Sequence, residues 1–311
     1  MLIPLQEALL HAKKTVETIV LGKETEIQLC FVALLAKSHI LIDDLPGMGK
    51  TTLAKTMAHV LGLDFQRVQF TSDLMPADIV GTTLLNGNRQ FELHKGPIFT
   101  RMLLADEINR ASPRTQSALL ESMAENQVTI DRQTHALPAP FFVMATQNPV
   151  DHRGTFPLPD SQLDRFLFKI SMGYPNATSE MTLMKNQENS IAIEKATVCL
   201  NSQQIIDLQA SVNTVNMNEE LYQYAYRLVL VTREHPHINT GLSPRASMAL
   251  IRAAKANALL SARNYVSPDD IKAVFPPLAR HRLILNSSLG ASINMEHMID
   301  IILNTTAIDA Q

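Results

Sequence analysis

The stretch LIDDLPGMGKTT, residues 41–52, sets two glycines, a lysine and two hydroxyls in an order suited to binding phosphate. In such a loop successive backbone N–H groups cradle the oxyanions, the lysine reaches the β and γ phosphates, and a hydroxyl ligates Mg2+. Pro46, Gly47, Met48, Gly49, Lys50, Thr51 and Thr52 are therefore the candidate nucleotide-binding residues, and Thr51 a candidate metal ligand. One position departs from the pattern G-x-x-x-x-G-K-[ST]: counting back from Gly49 puts Asp44 where the first glycine belongs. That glycine mainly eases the backbone into the loop, so an aspartate with negative φ is tolerable there. The plain alternative is a capped strand-to-helix turn that happens to contain Gly-Lys-Thr.

A second stretch, RMLLADEINR, is an apolar run ending in two adjacent carboxylates. This arrangement places Asp106 near a phosphate-bound magnesium and Glu107 near an attacking water. An acidic pair at a strand end is usually a solvated terminus, but here it follows a phosphate-loop unit. Lys50, Thr51, Asp106 and Glu107 together make a complete set for ATP hydrolysis.

These residues must be held by rigid elements. Strand-like runs at 39–42, 65–70, 102–105, 141–146 and 166–172 alternate with helical patterns, which predicts a five-stranded parallel sheet covered by helices. The helix after the glycine loop puts Leu53, Ala54, Met57, Ala58 and Leu61 on one face and stops at Gly62. Two hairpins interrupt the scaffold. The first, near 81–95, turns at Asn86-Gly87, and the second, weaker in pattern, lies near 127–140. After Gly173-Tyr174-Pro175 the pattern is helical, and two of the helices open with Ser-Pro, at Ser243 and Ser267. The expected division is an α/β nucleotide-binding domain over 1–174 and an all-α lid domain over 175–311.

Composition narrows the function classes. A formal charge of −3 over 311 residues gives no global basic field of the kind non-specific nucleic-acid binding needs, and no aromatics interleave with basic residues. Two cysteines, Cys30 and Cys199, sit in apolar helical patterns, so a disulfide framework is not expected and a reducing cytoplasm is. The amphipathic start lacks an export-signal pattern, and no apolar run is long enough for membrane insertion. The histidines, including His235 and His237, lack metal-ligand spacing.

The segments IVLGKET, DDLPGMGKTTLAK, VQFTSDLMPADIVGT, GPIFTRMLLADEINRASPRTQSALLESMAENQVTI, ATQNPVDHRGTFPLPDSQLDRFLFKI and GLSPRASMALIRAAKANALLSARNYVSPDDI resemble the MoxR family of AAA+ ATPases, in order and over nearly the whole chain. The resemblance implies a P-loop AAA+ core with a helical lid, ATP as the nucleotide and Mg2+ as its metal. It implies that Asn148 senses the γ-phosphate and orients water; a buried asparagine capping the loop before Pro149 is the alternative. Val20, Leu21 and Gly22 are implied to sit against adenine, although the glutamine usual after that glycine is Lys23 here.

Arg165, in LDRF, matches the arginine that related proteins insert into a neighbouring subunit's site, with Arg110, Arg114 and Arg153 as rivals and a salt bridge to Asp164 or Asp160 as the plain reading. Arg245, in SPRA, matches a lid arginine reaching phosphate from its own subunit. The hairpin near 81–95 corresponds to an insert that faces a ring's channel or a partner. Its tip, Asn86-Gly87-Asn88-Arg89, has no aromatic, so gripping of threaded polypeptide is not expected.

The function implied is an ATP-driven remodelling chaperone working as a ring, a hexamer by analogy. Its partners would be a von Willebrand factor A protein, for which this chain carries no segment of its own, and a client complex. The alternatives are a nucleic-acid motor or loader, a nucleotide-gated scaffold with little turnover, and a metal-chelatase motor subunit.

Overall fold

The structure is a computed structural model that describes residues 2–85, 87, 90–149, 154–185, 189–286 and 294–307. Helices α1 (Leu2–Ile19) and α2 (Glu24–Leu35) lead into strand β1 (His39–Asp43), and the glycine loop opens helix α3 (Lys50–Val60). Next come β2 (Phe65–Gln69), α4 (Pro76–Val80), the hairpin β3 (Gly81–Leu85) and β4 (Phe91–Lys95), β5 (Met102–Asp106) and α5 (Pro113–Glu125). A second hairpin, β6 (Gln127–Ile130) and β7 (Gln133–Ala136), precedes β8 (Phe142–Gln147), α6 (Asp160–Leu163) and β9 (Phe166–Ile170).

The five expected strands form one parallel sheet in the order β2-β5-β8-β1-β9. Both faces are covered over β1, β5, β8 and β9, so these strands are buried at successive positions rather than at alternate ones, whereas the edge strand β2 is largely exposed. Ile40, Ile42, Met102, Leu104, Phe142 and Met144 enter the core on one face. Leu41, Leu103, Ala105, Val143 and Ala145 enter a second core on the other. All strands being parallel, every C-terminus lies on one edge of the sheet, and the site is built there.

The rest of the chain holds α7 (Ala177–Lys185), α8 (Asn189–Lys195), α9 (Ser202–Ser211), α10 (Glu219–Glu234), α11 (Pro244–Leu260), α12 (Pro268–Ala279) and α13 (Met295–Thr305). It is helical apart from a short antiparallel ribbon, β10 (Ile238–Thr240) with β11 (Ile284–Leu285). These two segments are too short to show a period in the sequence, which is why the helical reading passed over them. Ser243 caps α11, its Oγ accepting from the Ala246 N–H at 3.1 Å.

The first core runs without interruption from Leu9 in α1 to Ile302 in α13. A polar thread crosses the same boundary: Gln28 in α2 donates to Asn257 Oδ1 (2.8 Å), whose Nδ2 donates to buried Asp270 (2.8 Å), itself paired with Arg263 (2.6 Å). Through these contacts α11 packs on α2. That docking decides where the lid arginine lies.

Candidate functional site

Gly47 and Gly49 have φ of +83° and +85°, a region costly for residues with a Cβ, and a Cβ built on either meets nothing within 4 Å. The loop is thus an open backbone cradle at the N-terminus of α3, the geometry that suits an oxyanion. Lys50 is buried, and its Nζ donates to the Asp44 carbonyl at 2.7 Å. Burial pushes its ammonium below the usual lysine range, against the opposing pull of Asp106, Asp44, Glu107 and Asp43.

Asp44 is not among the residues with positive φ, so it meets the condition for replacing the first glycine. Its N–H donates to the Gln147 carbonyl (3.1 Å), fixing the loop to the end of β8.

Asp106 ends β5, with Oδ1 accepting from Thr146 Oγ1 (2.6 Å) and Oδ2 accepting from Arg67 Nη2 (2.6 Å) and Nε (3.2 Å). Glu107 follows in the left-handed region, at φ 57°. Its N–H donates to Thr146 Oγ1 (2.9 Å), and its Oε2 accepts from Gln69 Nε2 (3.0 Å) and pairs with Arg110 (3.1 Å). The glycine loop, Lys50, Thr51, Arg67, Gln69, Asp106 and Glu107 line one cavity of about 340 Å3.

A polyphosphate fits the cradle, and a cation fits beside Asp106, a nearly buried carboxylate whose outer oxygen already faces a guanidinium. Thr51 and Asp106 both line this cavity and would be the residues to hold magnesium there. Asn148 follows β8 on the same edge, its carbonyl accepting from Asn109 Nδ2 at 3.3 Å.

Sequence reasoning missed Arg67, Gln69 and Thr146. Arg67 and Gln69 stand opposite Leu104 and Asp106 in the β2–β5 register. The polar residues within FQRVQF were the available signal, and they become meaningful only once β2 is known to neighbour β5.

A second cleft, about 630 Å3, adjoins the first and shares Pro46, Gly47, Gly49 and Thr52 with it. Val20, Leu21, Lys23, Tyr174, Pro175 and Met184 are among its lining residues. It has the size and apolar lining that suit a nucleobase and sugar. Gly22 does not line it: its φ is +67°, and a Cβ there would stand 2.8 Å from Ser179 Oγ, so it serves the close approach of α7.

The two matched arginines lie elsewhere. Arg165 immediately precedes β9, at the N-terminal edge of the sheet, about 16 Å from the opposite edge by the rise of a five-residue strand. The salt bridge weighed against its functional reading is not made with Asp164, which is held by Arg282 instead (2.6 Å); Arg165 Nη1 donates to the Leu120 carbonyl (2.7 Å). Arg245 lines a 470 Å3 cleft with Lys37, Ser38, Leu167 and Arg252, again at the N-terminal edge.

Arg245 thus does not line the cavity of its own glycine loop, where the family resemblance would have it reach. Docking of α11 onto α2 carries its N-terminus to the turn before β1 rather than over the glycine loop. Of the rival arginines, Arg110 touches its own Glu107, Arg114 is exposed on the first turn of α5, and Arg153 lies outside the described residues.

The hairpin β3–β4 ends on the cross-strand pair Leu85 and Phe91, the latter 80% exposed. Of the tip, Asn86, Asn88 and Arg89 lie outside the described residues. The tip lacks an aromatic, but one stands at its base.

Among the described residues no helix is long and apolar enough to cross a membrane. Residues 39–168 match the model of the ATPase family associated with various cellular activities (AAA), and residues 230–299 match the AAA lid domain. The chain is 46% identical to Bacillus subtilis YeaC over 88% of its length and 86% of that protein's. It is 40% identical to Mycobacterium tuberculosis Chaperone MoxR1 over 94% and 80%. A crystal structure of a Cytophaga hutchinsonii protein described as an ATPase superposes with a TM-score of 0.92 at 37% identity, covering 99% of this chain and 97% of that one. With the glycine loop, the acidic pair and the helical lid in the same order, the chain belongs to the MoxR family of AAA+ ATPases.

Proposed function

We propose that this protein hydrolyses ATP at the interfaces of a ring of about six copies, and that the ring remodels or activates partner protein complexes as a chaperone. In this reading residues 1–174 form the nucleotide-binding domain and 175–311 the lid. The observation that carries it is the polarity of the sheet: glycine loop and carboxylates on one edge, Arg165 and Arg245 on the other. Arg165 and Arg245, so placed, lie far from the loop of their own chain and are offered to a neighbour.

The loop N–H groups and Lys50 bind the polyphosphate, while Val20, Leu21, Tyr174 and Pro175 hold the base. Thr51 and Asp106 hold magnesium, which when bound draws charge from the phosphate oxygens. Glu107 accepts a hydrogen bond at Oε2 from the attacking water, after giving up Gln69 or Arg110, and Asn148 helps to orient that water. A neighbour's Arg165 meets the charge that develops on the γ-phosphate oxygens, bidentately as a guanidinium can. Arg245 of a neighbour adds a second cation.

The chaperone role draws on the 40% identical relative named as one; the partners in this reading are a von Willebrand factor A protein and a client complex, and the setting is the cytoplasm. A second reading, a metal-chelatase motor subunit, is favoured by 27% identity to an Arabidopsis thaliana magnesium-chelatase subunit over 72% of this chain. A pull-down separates them. Tagged Glu107→Gln, which should bind ATP without hydrolysing it, is compared in native lysate with Lys50→Ala, which should not bind. ATP-dependent, nuclease-resistant recovery of a defined protein complex supports the chaperone. Recovery of a chelatase partner favours the second reading, and nuclease-sensitive material alone overturns both.

A further inference from the structure

Two buried side chains of opposite charge, Lys23 and Asp44, close on the same short piece of backbone. Lys23 is 6% exposed and Asp44 7%. The piece is 171–174, which joins β9 to α7. Lys23 Nζ donates to the carbonyls of Met172, Gly173 (2.9 Å) and Tyr174 (3.0 Å), so its three protons meet three acceptors. Three carbonyl dipoles converging on one point repel one another unless a cation sits among them.

From the other side Asp44 Oδ2 accepts from the Gly173 N–H (2.7 Å) and Ser171 Oγ (3.1 Å). Its Oδ1 accepts from the Leu45 N–H (2.8 Å), and its carbonyl accepts from Lys50 Nζ. The aspartate standing in for the loop's first glycine thus belongs to the phosphate loop through its backbone and to the β9–α7 connection through its carboxylate.

We propose that Lys23 and Asp44 are positioning residues that set the base-side wall of the nucleotide cleft. This rests on the ATP-binding reading above. Lys23 is two residues on from Leu21 and lines the 630 Å3 cleft with it and Val20; the carbonyls it holds lead into Tyr174 and Pro175, which line the same cleft. The clamp therefore fixes the separation of these two stretches. It does not line the phosphate cavity, whose walls include neither Lys23 nor Tyr174. Because α7 begins just beyond Pro175, occupation of the base cleft also bears on the first helix of the lid.

The consequence is selective: loosening the clamp weakens recognition of the nucleoside and spares that of the phosphates. The test compares ATP with inorganic tripolyphosphate, each competing with a fluorescent ATP analogue on the full chain. Lys23→Met, near-isosteric and uncharged, should lose about ten- to a hundredfold in ATP affinity, the equivalent of one or two charge-assisted hydrogen bonds, with tripolyphosphate affinity within about twofold of wild type.

Lys23→Gln, with two protons to offer, should fall between, and in turnover the loss should appear in KM rather than kcat. Lys23→Gln also serves as the variant to read if Lys23→Met fails to fold. Equal losses for both ligands, or unchanged ATP affinity, overturn the clamp. A wild type that binds ATP no better than tripolyphosphate overturns the nucleotide reading along with it.

Discussion

If the arginines act between copies, two inactive variants should restore each other. Arg165→Ala keeps its own glycine loop and carboxylates but offers no finger; Lys50→Ala keeps Arg165 but lacks the lysine its own phosphate site needs. Alone, each should lose on the order of a thousandfold or more in ATPase rate, the usual worth of an arginine finger. The separation of Arg165 from its own loop, about 16 Å along β9, is beyond the reach of any arginine rotamer. In a ring built from an equal mixture, a competent interface pairs an Arg165→Ala loop with a Lys50→Ala finger. Random assembly gives that pairing at one half times one half of the interfaces, so the mixture should recover about a quarter of the wild-type rate per subunit. The assay is phosphate release from co-refolded or subunit-exchanged mixtures at several ratios, where the yield should peak at equal proportions. A mixture no more active than its components, with oligomer formation verified, refutes the shared site. So does an Arg165→Ala protein that hydrolyses normally.

The same mixing design applied to Arg245→Ala with Lys50→Ala should also restore activity, whereas Arg110→Ala, whose arginine touches the Glu107 of its own chain, should gain nothing by mixing. Arg67 supplies the cation on Asp106, so Arg67→Gln should lower the magnesium concentration needed for half-maximal ATPase, read by titration. Because Arg67 is 46% exposed, the change should cost only about 1 kcal/mol in chemical denaturation. A raised magnesium requirement would instead make Arg67 part of the metal's own support.

His39 is buried at the start of β1, its ring contacting the Met123 carbonyl and accepting from the Val143 N–H, and burial lowers its pKa to about 4. The folded protein then binds fewer protons than the unfolded chain between about pH 6.5 and 4. Stability is full above that window and is lost as pH falls through it, by about 3 kcal/mol from this group. The urea midpoint should drop from pH 7 to 4.5, and the drop should be smaller in His39→Asn; an equal drop in the variant would remove His39 as the cause.

Most of the sheet was legible because a strand buried on both faces leaves a near-continuous apolar run, as at 39, 102, 142 and 166; the edge strand at 65 is half polar and showed only as a strand-like run. The second hairpin was weak in the sequence for a physical reason: its turn is Asp131-Arg132, both at positive φ with no glycine to mark them. The cradle and the acidic pair were legible because their chemistry is local in sequence.

What stayed hidden was the part of the site set by which strand neighbours which. Arg67 and Gln69 acquire meaning from the β2–β5 register, and Thr146 from its place between Asp106 and Glu107. Arg245 is the sharpest case. Its motif matched, and the helix it opens was placed correctly, yet its position depends on α11 packing against α2, with a polar thread through Gln28, Asn257 and Asp270. No local pattern encodes which face of a helix docks where. The departures at Asp44 and Lys23 follow the same logic in reverse: each breaks a local motif, and each finds its reason 127 to 151 residues away, in the connection between β9 and α7.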